Sequence, residues 1–539
     1  MSGIYINRII LTFLLFLLSV IRLYPQKLTI QGEYKSDVVD YNDFEKEFYR
    51  KKIRYEMSRE SSFNFAHIYI NNDNENRFTW NLVLLDISAR FHVILGNYTV
   101  SFGKGLLIGN NYYMSPDYFS SGIILSNSKP FKQYNSGNPV YSFNGIAAYY
   151  KNELFGNDLS VYFYYSRRGR YIDEDTYESS EFSYSLNSIN NRDKRDKGHI
   201  EPVIIHDYGI MFKMVISENF QFMTYFIDTF VKNMNKSPVV WNYDEYRAMD
   251  YSQYNYGIER NYGWGIFTEY SDGFMNVFFE YGLVFRDLLI NNEKLKTVYD
   301  YGMLFGVRLK HPIFSLSIIG KQAGREFYTI YSSGHNYPER SWIFCTSLGP
   351  VYKLTLGSAF SFEKKVSPGS TDTYLRVIKR EKFFMNFKFT PKTSLNFDIQ
   401  RYESHEEEDR AEKLQFKILA STVVYKILKS RLSSLLQKDN KSSSYAFGTD
   451  LTVSLLSTLD LVFSYSRFII YNENNIYTII KPINNSVASG FFVRESTNIV
   501  VAKLSFRYAG YFLAIRYEYQ FLDKRPMQHQ LEIIGRAVF

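Results

Sequence analysis

The chain has 539 residues with 48 Tyr and 46 Phe, yet its mean hydropathy is slightly negative, so the rings are placed somewhere other than an ordinary soluble core. With 13 Pro and 30 Gly it is neither disordered nor fibrous, and a formal charge of +8 spread over 63 basic and 55 acidic residues leaves no basic tract to hold nucleic acid. The single cysteine, Cys345, excludes an internal disulfide and any Cys/His metal spacing; in WIFCTSL it reads as a small strand residue.

Arg8 precedes the apolar run IILTFLLFLLSVI, residues 9–21. A positive charge before an apolar stretch of this length reads as a signal peptide rather than a spanning helix. We place its end near Pro25–Gln26, which gives a leader over 1–26 and a mature chain over 27–539. No cysteine follows the run, so lipid anchoring is not expected. No later apolar run reaches about 18 residues, so no spanning helix is expected either.

Past residue 27 the dominant period is two. In Asp272–Arg286, Met275, Val277, Phe279, Tyr281, Leu283 and Phe285 fall on one face, and Asn276, Glu280 and Arg286 on the other. In Met385–Gln400, two alternating runs flank the turn TPKTS, with Met385, Phe387, Phe389, Leu395, Phe397 and Ile399 on the apolar side. In Tyr511–Phe521, Leu513, Ile515, Tyr517, Tyr519 and Phe521 oppose Arg516, Glu518 and Gln520. Each such segment is a strand with one apolar and one polar face. Only Lys426–Lys438 carries spacing that a helix would also satisfy.

The connections alternate in length. Short ones read SRES (58–61), DIS (86–88), SEN (217–219), SDG (271–273), KHP (310–312), LGP (348–350), TPKTS (390–394), STLD (457–460) and AGY (509–511). Long polar ones fall between them at 110–141, 169–202, 232–257, 326–338 and 474–490. In an antiparallel meander every second connection lies at the same end, so one end has tight turns and the other extended loops, the asymmetry of outer-membrane barrels. The expected fold is all-β: a transmembrane antiparallel up-and-down β-barrel of about 24 strands, within about 20–26. Its apolar face meets lipid and its polar face the interior, and both termini lie in the periplasm of a Gram-negative outer membrane. Closure removes strand edges that hydrocarbon could not satisfy. The last strand, LEIIGRAVF, ends at Phe539 and resembles the signal read by the barrel assembly machinery. That machinery, outer-membrane lipid and lipopolysaccharide are the expected partners, and nucleic acid is not.

Three stretches carry a family resemblance. LGNYTVSFGKGLLIG (95–109) leads into KPFKQYNSGNPVYSFNGIAAYY (129–150), and RFIIYNENNI (467–476) lies near the end. They resemble the barrel of a Bacteroidota-type outer-membrane family, many of whose members carry helix-hairpin-helix repeats ahead of the barrel. Gly96, Asn97, Tyr98, Phe102, Gly103, Gly105 and Leu106 match its first motif. Tyr134, Ser136, Asn138, Phe143, Gly145, Ala147 and Ala148 match its second. Asn144 and Pro139 depart from an arginine and a glutamate there, and the helical repeats are absent. The resemblance implies an outer-membrane barrel of unsettled role.

No motif singles out chemistry, so no catalytic, cofactor or metal residue is assigned. SFGKG lacks the GxxxxGK[ST] spacing that wraps phosphate and reads as a strand whose glycines allow a bend or a close approach. His405 in SHEEEDR (404–410) and the acidic run at 173–175, with Glu178 and Glu181, read as solvated loops. His206–Asp207 opens a strand without a nucleophilic elbow; His67 and His92 sit within strands. The segment 110–141 is too apolar at Tyr118–Phe119 and Ile123–Leu125 to float in water, and is expected to fold into the lumen or across its mouth. The leading functional expectation is a channel or transporter, with 110–141 and 169–202 narrowing a polar lumen. An energised receptor of the TonB-dependent class fits less well, since strands begin almost at once. The alternative is a surface binding or assembly component with a blocked lumen. A membrane enzyme is disfavoured for want of a triad. The solute is not legible.

Overall fold

The computed structural model describes residues 27–40, 43–56, 61–70, 75–85, 90–110, 129–134, 142–154, 156–173, 200–233, 256–290, 293–324, 327, 331–333, 339–366, 375–406, 409–425, 428–439, 443–470, 476–480, 489–493, 496–522 and 528–538. The leader expected over 1–26, Phe539 and most of the long connections lie outside these.

The backbone polar groups dictate the architecture. Each strand pairs with the strand before and after it in sequence, and the last, Gln528–Val538, pairs with the first, Lys27–Asp40, from Thr29 opposite Val538 to Val38 opposite His529. The result is a closed antiparallel barrel of 24 strands. The three-residue strand Phe131–Gln133 extends the ladder along the end of Phe91–Val100 where Phe143–Leu154 stops. At ~4.8 Å between strands and a tilt of ~40°, a circular wall of this kind is about 45–50 Å across.

The alternation read from the sequence sets the two surfaces. On Met275–Ile290, Phe279 faces outward and exposed while Glu280 and Arg286 are buried inside. On Tyr511–Leu522, Leu513, Ile515, Tyr517 and Phe521 are exposed outside. Arg516 and Glu518 are buried inside, where Arg516 pairs with Glu518 and, at 3.7 Å, with Glu532. On Leu375–Thr390 and Thr393–Glu406, Phe383 and Phe389 are exposed outside, while Asn386 and Asn396 hydrogen-bond across the hairpin on the inner face.

The outer face has defined rims. Arg260 and Tyr270 stand on the same outward side of Tyr256–Ser271, ten residues apart. At ~3.4 Å per residue and a tilt of ~40° this is about 25 Å of barrel height, the thickness of an outer-membrane apolar band. At the loop end, Arg260 holds the buried carboxylate of Asp228, which also accepts from the Tyr208 hydroxyl, and Tyr165 stands alongside. At the turn end Phe274, Tyr352, Phe389, Tyr508 and Tyr511 are exposed. Amphipathic rings at both boundaries are the girdles expected of such a barrel.

The tight turns have local causes. Asp272 accepts the amides of Phe274 and Met275 at 2.8 and 2.6 Å and the hydroxyl of Tyr270 at 2.9 Å. The Met275 and Phe274 amides, then that hydroxyl, hold its carboxyl below the usual carboxylate range. One sequence expectation needs correction. LGP is not the hairpin tip: Glu339–Val351 runs through it, with Pro350 in the irregularity between Leu348 and Val351, where a residue without an N–H is tolerated. The turn is at Tyr352–Lys353, both with positive φ. Leu428–Asp439, in the stretch whose spacing a helix would also satisfy, is a wall strand between two partners.

Ile266 lies midway between Arg260 and Tyr270 on the outward side. Ile266→Arg is expected to destabilise the barrel by about 2–4 kcal/mol in denaturant refolding from lipid vesicles, and Tyr270→Arg by about 0–1 kcal/mol.

Candidate functional site

Two wall strands, Phe91–Val100 and Phe314–Ala323, stop after ten residues, and both continuations turn into the barrel. SFGKG is therefore not a strand, as its glycines had suggested, but the tip of an inserted segment. The Gly105 amide closes a turn on the Phe102 carbonyl at 2.9 Å, and Phe102 donates to the Ile108 carbonyl at 3.1 Å. Gly103 and Gly105 take φ of 56° and 87°, which residues with a Cβ adopt at a cost. Ile108–Asn110 then runs parallel to Tyr331–Ser333, so the two continuations meet inside. The expectation that 110–141 folds inward starts too late: the inward turn begins at Ser101. Residues 111–128 and 135–141 are outside the described part, as are 174–199.

The two motif stretches form the root of this insertion. Gly96, Asn97 and Tyr98 lie opposite Gly145, Asn144 and Phe143. Asn97 accepts the Trp80 amide at 3.0 Å and donates to the Ser142 hydroxyl at 3.0 Å. The Tyr98 hydroxyl donates to the carbonyls of Ile146 and Tyr165, at 3.1 and 2.7 Å. Phe102 sits fully buried among the rings of Phe131, Tyr164 and Tyr225, with centroids 5.6–6.0 Å away.

The wall opposite is shaped to receive the segment. Leu107 packs on Gly263 and Gly282; a Cβ built at Gly282 would lie 2.6 Å from a Leu107 methyl. Phe327 rests on Gly302 in the same way. Phe267, Phe278, Val284, Leu304 and Ile319 complete an apolar cluster inside the barrel. The expected polar lining is thus corrected for the sector from Glu75–Leu85 round to Glu339–Val351. There the inward positions are apolar or glycine where the segment packs, as at Phe278, Gly282 and Val284, and elsewhere are buried polar groups such as Glu269, Glu280 and Arg286, because protein rather than water lies against them.

Two carboxylates fasten the tip. Lys104 Nζ meets Glu269 Oε1 at 3.0 Å, with the two side chains 6% and 1% exposed. Asn276 and Gln221 also donate to Glu269. Glu280 accepts the amides of Lys104 and Leu106 at 2.8 and 3.3 Å, and the hydroxyl of Tyr225. Phe267 and Phe278 place their rings under the ammonium at 5.6 and 5.2 Å. Each charge is thereby compensated away from water, as a buried ion pair requires. Nearby, Arg168 forks onto Asp207, which also accepts from Thr229, and stacks on Phe143 at 4.6 Å.

The remaining inward surface mixes polar side chains with two small buried apolar clusters, one of Phe468, Ile499 and Val501 and one of Ala514 and Ile534. Between the returning Tyr134 and the wall lies a cavity of about 250 Å3 lined by Gln31, Lys52, Arg54, Asn64, Thr79 and Arg536, among others. Asn64 ties the wall to the segment through Asn81 and Gln133, at 2.9 and 3.1 Å.

His206 and Asp207 separate, because neighbours on a strand face opposite ways. His206 bonds the Tyr165 hydroxyl at 3.0 Å on the outer surface while Asp207 points inside. His405 pairs with Glu403 at 2.8 Å on the outer face; Glu407 and Glu408 lie outside the described residues. His67 and His92 are strand residues, stacked on Phe78 and Tyr149. Cys345 lies in Glu339–Val351 at the edge of the interior cluster. Sequence reading missed Lys104, Glu269 and Tyr225 as a set. The available signal was a lysine between two glycines, and Phe278, Gly282 and Val284 breaking the polar face of their strand.

No protein-family model matches the sequence, and no curated protein matches it. Among solved structures, the siderophore receptor PirA from Pseudomonas aeruginosa is similar in fold, at a TM-score of 0.50 and 7% identity, over 96% of this chain and 81% of that one. PirA from Acinetobacter baumannii (TM-score 0.49, 8% identity, 95% and 80% covered) and the P pilus usher PapC translocation pore (0.43, 8%, 95% and 99%) are more distant. The class is thus a closed transmembrane β-barrel of the outer-membrane type.

Lys104→Ala leaves Glu269 buried without its cation and is expected to weaken docking of the segment by about 3–5 kcal/mol. Gly282→Val is expected to expel Leu107. Both should expose 101–110 to proteinase K in detergent while the barrel's far-UV circular dichroism is unchanged.

Proposed function

We propose that this chain is an outer-membrane channel whose lumen is narrowed by the docked segment 101–110. The observation that carries the reading is the set of polar and basic inner-wall side chains that, among the described residues, stand exposed to water away from the docked insertion. The tight turns and both termini lie in the periplasm, and the long connections outside. Outer-membrane lipid covers the apolar band, with lipopolysaccharide at the rim of Arg260 and Tyr208, and the barrel assembly machinery acts on the C-terminal strand. The Lys104–Glu269–Glu280 clamp sets the resting width: it holds the segment by few, strong, charge-dependent contacts over a glycine floor.

The second reading, a surface binding or assembly component with a blocked lumen, draws on the dry packing of Phe102, Leu107 and Ile108. Planar-bilayer recording separates the two. A channel gives steady conductance, increased in Gly282→Val and Lys104→Ala. Silence from all three proteins with the barrel intact supports the blocked lumen and removes the channel.

A further inference from the structure

Round the sector of wall away from the insertion, from Leu354–Val366 through the closing strands to Asp43–Glu56, the inward charges are sorted by sign. Three of the carboxylates are drawn into the wall, and others are held against partners. Glu363 is buried under Arg380, and Glu518 and Glu532 are buried on Arg516. Asp460 accepts the Ser454 hydroxyl at 2.6 Å, Asp450 faces Arg431 at 3.9 Å, and Glu56 faces Arg54 at 3.0 Å. Among the described residues of this sector, the inward-facing charged residues most exposed to water are basic, Lys388, Lys417, Lys429, Arg507, Arg536 and Arg54, while the half-exposed carboxylates Asp398 and Asp450 face Lys417 and Arg431. The strand register fixes their direction. Lys417 lies opposite Asp398, Lys429 opposite Thr452, and Arg536 opposite Gln31, all on the inner face.

The cavity beside Tyr134 repeats the bias. Lys52, Arg54 and Arg536 line it against the single carboxylate of Glu56. Its volume of about 250 Å3 suits a small organic or inorganic anion rather than a macromolecule.

We propose that the unfilled side of the lumen selects anionic solutes, small carboxylates or phosphates, and that the cavity of Lys52, Arg54 and Arg536 is a station on their path. This rests on the channel reading. Fixed cations on a low-dielectric wall raise the local anion concentration and repel cations, so selectivity follows lining charge as well as width. The buried carboxylates oppose this only weakly, because Glu363 is paired with Arg380 and Glu518 and Glu532 with Arg516 within the wall. Salt screens the effect over a Debye length of ~10 Å at 0.1 M, so selectivity rises as salt is lowered.

The test is reversal potential in planar bilayers under a tenfold KCl gradient. The purified protein is expected to pass chloride over potassium by at least about threefold. The triple variant K417E/K429E/R536E should bring that ratio below one, and the neutral triple K417Q/K429Q/R536Q should bring it near one. Lys364→Glu, an exposed change on the outer face, should leave it unaltered. The neutral triple also guards against misfolding, and all variants are compared by far-UV circular dichroism. Conductance that is unselective or favours potassium overturns the anion path and leaves the channel standing. Silence in both the natural protein and Gly282→Val overturns the channel and the anion path together.

Discussion

Hydrocarbon offers no partner to a backbone N–H or C=O, and this constraint orders the rest of the structure. It forces every strand to be paired on both sides, so the sheet closes from Thr29 to Val538. Closure fixes two surfaces that never exchange, and the period of two then assigns each side chain to one of them. Outside, Phe279, Leu513 and Phe389 need no partner beyond lipid. Inside, Arg516, Glu518 and Glu532 satisfy one another. The rings concentrate where the two solvents meet.

A wall closed in this way has a large interior, and the chain solves the problem unevenly. One sector is filled by the protein's own segment, with Leu107 laid on Gly263 and Gly282 and the rings of Phe131, Tyr164 and Tyr225 around Phe102. The other, among the described residues, presents exposed basic side chains such as Lys417, Lys429 and Arg536. Apolar contact gives the insertion its shape complementarity, while Lys104, Glu269 and Glu280 give it a defined seat. These are separable terms: a charge change loosens the seat without altering the floor, and a methyl at the floor does the reverse.

Much of the wall was legible from the residues. The alternation in Met275–Ile290 and Tyr511–Leu522, and the ordering of short and long connections, lead to the strand count and to one loop-bearing end. Those signals are local, since each strand carries its own period. The site was not legible for the opposite reason. SFGKG has the composition of a bent strand, and its direction is decided by Glu269 and Glu280, which stand 165 and 176 residues further on. Pro350 and Leu428–Asp439 show the same limit on a smaller scale: a tolerated bulge and a two-sided sheet override what the short stretch suggests.

The distance in sequence between Lys104 and its carboxylates has a kinetic side. A contact spanning that much chain carries a large loop-closure cost and forms only after the wall supplies its far end. The hairpin bearing Glu269 and Glu280 must therefore be in place before the segment has anywhere to sit. The segment takes its seat after that hairpin has joined the sheet, later than the local pairing of its own neighbouring strands.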